Sequence, residues 1–223
     1  DADIEARAHD IVEQLAALHA GYWESERFAA DADLAWVAAR SMRVGGAVPY
    51  IRRAVDAIGD QMDDVFHALA NLYLSRADDI MGLFGAGPGT LVHGDSHIGN
   101  LFVDLDGDRT GFLDWAVVCR APGMRDVAYM MCNSVPRTVR EAIERGIVER
   151  YCEHLAVFGV ALDPHDAWDQ YRLFAVQSWA ASAATAGMGS KWQPIEYGLA
   201  GTRRATAACA HVDSVGLLEQ LLG

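Results

Sequence analysis

Lysine is nearly missing from this chain of 223 residues: Lys191 is the only one, and it lies far downstream of the segment richest in chemical groups. Lys and Arg together number 18 against 31 Asp and Glu, a formal net charge of −13. That balance argues against sequence-independent binding to nucleic acid, which needs a basic footprint to displace counterions from phosphates. Cysteine is scarce as well. Cys119, Cys132, Cys152 and Cys209 are widely spaced and show no C-x-x-C pairing, so they read as buried, reduced thiols of a cytoplasmic protein. No apolar run approaches the roughly 18 residues a membrane-crossing helix needs, and no signal-peptide pattern opens the chain. No membrane partner is expected. An initiator methionine is missing too, and the chain opens directly into a helical pattern, which leads us to expect that part of a longer polypeptide precedes it.

What is present is an ordinary globular composition, 52% hydrophobic and 22% charged, in a length that can bury roughly 70% of the unfolded surface. Ile4, Ala8, Ile11, Val12, Leu15 and Leu18 recur at helical spacing, predicting a core-facing helix over 4–20 that Gly21 ends. A second helix is expected near Asp33 to Arg43. Pro49 can open a third, in which Ile51, Val55, Ile58, Met62, Val65, Leu69 and Leu72 share a face to about Leu83. The run Gly85 to Gly89 stops that pattern. Three short β-like runs follow, Thr90–Val92, Leu101–Val103 and Gly111–Leu113, with residues 104–109 as a hairpin connection. Helical periodicity then returns near 125–132, 136–158, 164–185 and 195–212. The fold class expected is α+β, mostly helical, with a small β insert.

The chemistry concentrates in that insert. His93, Asp95, His97, Asn100 and Asp114 all lie beside short strands. Asp95 and Asn100 are five apart, the separation found in the protein-kinase loop H-R-D-x-x-x-x-N, and Asp114 follows one hairpin later. In that chemistry one carboxylate takes the proton of the acceptor hydroxyl, while an Asn and a second carboxylate offer the oxygen ligands that Mg²⁺ requires.

The string His93-Gly94-Asp95-x-His97-x-Gly99-Asn100, followed by Phe112-Leu113-Asp114-Trp115, resembles the signature of the aminoglycoside phosphotransferase and choline kinase superfamily. The resemblance implies that residues 1–223 form the C-terminal lobe of a protein-kinase-like phosphotransferase, with the hairpin insert carrying the catalytic and metal residues. It implies Asp95 as catalytic base, Asn100 and Asp114 as Mg²⁺ ligands, and His93 and His97 as supports of the loop. Asp126, in Arg125-Asp126-Val127-Ala128, resembles a downstream family Asp that braces the loop. The implied donor is ATP or GTP, and the implied partner is a small-molecule hydroxyl acceptor. Such a lobe needs an N-terminal β lobe bearing a phosphate-binding Lys, which these residues do not supply. Trp179, Trp192 and Tyr197 fall in the region that forms much of the family's acceptor pocket, although most late aromatics can equally be core. Asp163, Asp166, Asp169 and Glu196 could attract a cationic acceptor or simply form a solvated face.

Rival readings are weaker on their own chemistry. Gly94-Asp95-Ser96 matches the block of a serine hydrolase, but the only D-x-x-H, Asp64 to His67, lies upstream rather than near the C-terminus. His93-x-Asp95-x-His97 alternates like a zinc cluster of a metal-dependent hydrolase, yet it would leave Asn100 and Asp114 without a role. Asp104, Asp106 and Asp108 imitate a Ca²⁺ loop without its Gly at position six or Glu at twelve. A kinase-like binding or regulatory protein without activity is the remaining alternative, and it has no use for a base together with both metal ligands.

Overall fold

Ala8, Ile11, Val12, Leu15 and Ala16 stack on one face of α1 (Ala2–Gly21) and are all buried, as the i, i+3, i+4 rule requires of a helix laid against a core. The computed structural model describes residues 2–38, 46–104, 109–191 and 194–223. These fall in two compact units, one formed by Asp1–Ser41 with Gly85–Tyr171, the other by Met42–Phe84 with Arg172–Gly223.

In the first unit α1 is followed by the short α2 (Ala35–Ala38); the rest of the second expected helix, from residue 39 on, lies outside the described residues. Four strands follow: β1 (Thr90–Val92), β2 (Leu101–Asp104), β3 (Arg109–Phe112) and β4 (Cys119–Ala121). They make two separate antiparallel pairs. β2 pairs with β3 in the register Leu101↔Phe112 to Asp104↔Arg109, and β1 pairs with β4, Val92 opposite Cys119. The fourth strand has no counterpart among the sequence expectations, because Cys-Arg-Ala has none of the β-branched or aromatic signal that marks a strand. Helices α6 (Met124–Ser134) and α7 (Arg137–Val157) come next, and the first two turns of α8 (Pro164–Gly187) close the unit. α7 lies along α1 and buries Ile147, Val148, Tyr151 and Leu155. Asp10 of α1 accepts from the Thr110 backbone N–H at 2.8 Å, which ties the β2–β3 hairpin to this helix pair.

The second unit contains α3 (Val48–Ile58), α4 (Asp64–Ser75), α5 (Ala77–Phe84), the later turns of α8, α9 (Ile195–His211) and α10 (Ser214–Leu222). The single helix expected from Pro49 to about Leu83 is therefore three. Asp63 caps α4, its carboxylate accepting from the Phe66 N–H at 3.0 Å, and Arg76 at φ −130° breaks the chain before α5. Its core is aromatic: Trp179 meets Phe66 and Tyr73 edge-on or tilted, with centroids 5.7 and 6.3 Å away, and Phe84 stacks on Phe174 at 5.7 Å.

Candidate active site

A glycine is required where β1 gives way to the candidate loop. Gly94 has φ +86°, and a Cβ there would stand 2.5 Å from the Val117 carbonyl oxygen. This turn brings Asp95 out of the buried strand, so that its carboxylate is about one-third exposed (34%). The loop then closes on itself. Asn100 donates its amide N–H to both the Asp95 carbonyl oxygen (2.9 Å) and Asp95 Oδ2 (3.1 Å). His97 opens a 3-10 turn over Ile98–Asn100 by accepting from the Gly99 N–H at 3.0 Å. That bond leaves the ring hydrogen on Nε2, which lies 3.7 Å from Asp95 Oδ2.

His93 joins the loop to the hairpin. Its Nδ1 accepts from the Asp95 backbone N–H at 3.2 Å, and its Nε2 faces the Leu113 carbonyl oxygen at 2.7 Å. The ring hydrogen therefore sits on Nε2, and both nitrogens are committed to backbone. The Trp115 ring packs on His93 at 4.7 Å, and the Leu113 N–H donates to the Asn100 carbonyl at 2.8 Å. These bonds carry Asp114, exposed and left-handed at φ 56°, to the Asn100 end of the hairpin. Asp114 Oδ1 accepts from the Ala116 N–H at 3.2 Å.

Beneath the loop lies Asp126, in the first turn of α6 and wholly buried. Its Oδ2 accepts from the His93 N–H (2.6 Å) and its Oδ1 from the Gly94 N–H (2.8 Å), while Ser96 Oγ donates to its carbonyl oxygen (2.8 Å). Burial alone would raise this carboxyl, but the hydrogen bond from His19, the Gly94 N–H and the nearby Arg125 outweigh it and hold Asp126 below the usual range. Tyr129, one turn further along α6, lies near Asp95; burial and the Asp95 charge push its hydroxyl upward.

The geometry disposes of two rivals. His93 has no lone pair left for zinc, and among the described residues no group of three His, Cys, Asp or Glu converges as a metal cluster. Ser96 is buried and spends its hydroxyl on Asp126, an arrangement unlike an exposed nucleophile. For Mg²⁺ the donor set does fit: Asn100 uses its amide nitrogen on Asp95 and so keeps its oxygen for another partner, and Asp114 adds a carboxylate, both hard oxygen ligands.

Of the sequence-derived site residues, the structure brings His93, Asp95, His97, Asn100, Asp114 and Asp126 into one loop–hairpin–helix assembly. Trp179 is instead enclosed in the second unit, and Tyr197, on α9, is 68% exposed. Trp192 lies outside the described residues. Sequence reasoning passed over Tyr129, His19 and Tyr151. Tyr129 stands one helical turn from Asp126, a spacing that could have flagged it; His19 and Tyr151 fall on the apolar faces of α1 and α7 and look like ordinary core.

Here an acid–amide–acid set stands on a loop and hairpin within a mostly helical unit. A sequence model of the phosphotransferase enzyme family, which includes the aminoglycoside phosphotransferases, matches residues 1–174, and the chain belongs to that family. Among curated proteins none matches it. No helix among the described residues is long and apolar enough to cross a membrane.

Proposed function

We propose that the protein transfers the γ-phosphoryl group of ATP or GTP to a hydroxyl of a small molecule in the cytoplasm, with Asp95 as the base. The observation that carries this reading is the pair of hydrogen bonds that Asn100 donates to the carbonyl and the carboxylate of Asp95. It fixes the proton acceptor beside the residue whose remaining oxygen suits a metal. Asn100 and Asp114 would hold Mg²⁺, which neutralises charge on the nucleotide phosphates. Asp95 accepts the acceptor proton through its partly exposed carboxylate, oriented by Asn100. His93 keeps the loop and the Asp114 hairpin at a fixed separation. Positioning and charge stabilisation supply most of the rate in such a site.

In this reading the phosphate-holding Lys is supplied by a β lobe of the same polypeptide. Replacing Asp95 by Asn in the full-length protein should lower nucleotide-dependent phosphoryl transfer, assayed against a panel of hydroxylated small molecules, by roughly 10²- to 10⁴-fold. Thermal stability should hold. Unchanged turnover would overturn the role of Asp95.

A further inference from the structure

Asp126 reaches the loop with its carboxylate, but its own position is set from behind by two residues on other helices. His19 lies in the last turn of α1, wholly buried, with Nε2 at 3.3 Å from Asp126 Oδ2 and Nδ1 at 2.8 Å from the Tyr151 hydroxyl of α7. Burial and the nearby Asp126 push the Tyr151 hydroxyl well up, so it keeps its hydrogen. The assignment that gives every polar hydrogen an acceptor runs Tyr151 O–H to His19 Nδ1, then His19 Nε2–H to Asp126. Two further features are fitted to this chain of bonds. The Thr90 hydroxyl donates to the His19 carbonyl at 2.6 Å, tying the start of β1 to the same residue. Gly123 leaves room where a Cβ would come within 2.2 Å of the Tyr151 oxygen and 2.7 Å of His19 Nδ1.

We infer that His19 is a positioning residue for the candidate catalytic loop: held by Tyr151, it orients Asp126 so that both carboxylate oxygens meet the His93 and Gly94 N–H groups, and so sets where Asp95 stands. The inference deepens the proposed function and rests on it for its kinetic consequence, but its structural content is independent of activity. His19 touches no reacting group in this arrangement. It acts through Asp126 alone, and an apolar side chain of similar size would leave a buried carboxylate oxygen short of one donor. Gln can present an amide N–H near the place of Nε2, whereas Leu cannot.

The test uses the full-length protein with His19→Leu, His19→Gln and Tyr151→Phe, each first checked for folding by its thermal transition. Amide hydrogen exchange at His93 and Gly94 is read in each, beside kcat and KM for hydrolysis of Mg²⁺-ATP. Losing a hydrogen bond to a charged group should speed exchange at these two amides about ten- to hundredfold in His19→Leu, with a smaller rise in Tyr151→Phe. His19→Gln should restore most of the protection. kcat should fall with His19→Leu while KM for the nucleotide stays near its original value. Equal protection in His19→Leu and the parent protein would overturn the inference, as would a loss in His19→Leu that His19→Gln shares in full. Should the unaltered protein turn over no nucleotide, either alone or with the panel of hydroxylated acceptors, the proposed function fails while the exchange data still decide the role of His19; should His19→Leu fail to fold, the comparison of Tyr151→Phe and His19→Gln with the parent decides it.

Discussion

Asp126 shows how much one side chain is asked to do at this site: it is buried, charged, and meets the His93 and Gly94 N–H groups and His19. An Asn there keeps one oxygen and so loses an acceptor for one of the loop amides. Because the folded-state carboxyl is held below its ordinary value of 3.8, its stabilisation is complete above that pH and disappears as pH falls through the lower folded value. Asp126→Asn should therefore be destabilising at neutral pH, and the gap from the parent protein should shrink below pH 3.8. Thermal melts across an acid series would measure it, and a constant gap would contradict the assignment. Asp114 has the opposite character, exposed and held in a left-handed turn with only the Ala116 N–H as a hydrogen-bonding contact described above. Asp114→Ala should leave stability nearly unchanged and abolish the Mg²⁺-dependent part of nucleotide affinity, which calorimetric titration with and without the metal would show.

At the level of elements, what sequence periodicity conveyed was the helical face, and what it missed were the ends. Ile51 to Leu72 keep one apolar stripe, yet the chain breaks after Ile58 and starts again at Asp64, where Asp63 offers a side-chain cap to a new helix. A local cap of this kind does not disturb periodicity, so the stripe reads straight through it. Asp63→Ala should cost about 1 kcal/mol of stability, the usual worth of an N-cap, checked by urea titration. The β2–β3 hairpin was legible from its two short runs and the polar turn between them. Its separation from the β1–β4 pair was not, because strand partners distant in sequence leave no local trace. α10, after the left-handed Asp213, was missed for a related reason: it has nine residues, too few for a persuasive period.

At the scale of the first unit, the interior contains charge as well as apolar surface. Arg140 and Glu144 are almost fully buried, with Nη1 and Oε2 2.6 Å apart, and the Tyr171 hydroxyl donates to the same Glu144 oxygen at 2.8 Å. Removing one member of such a pair leaves the other charge in a medium that solvates it poorly. Arg140→Met should destabilise the protein by about 3–5 kcal/mol, and pairing it with Glu144→Leu should recover much of that loss. Chemical denaturation of the single and double variants would distinguish this from simple loss of packing, which the double variant would not repair.

By itself the sequence determined the class of the protein. His93 to Asn100 and Phe112 to Trp115 are contiguous strings whose residue types and spacing point to the proposed chemistry, so the proposed base, the amide and the second carboxylate can be picked out without coordinates. The mostly helical fold was equally legible, since helical faces repeat within a few residues. Only the tertiary structure decided how those strings are held. His19, Tyr129 and Tyr151 come from three helices, and nothing local separates a buried His or Tyr that orients a carboxylate from one that fills space. The same is true of Trp179, whose indole suggests a binding surface in sequence and whose surroundings are the core of the second unit. Contacts of this kind join residues from about 30 to more than 130 positions apart, and they are fixed by which helices pack together rather than by any pattern along the chain.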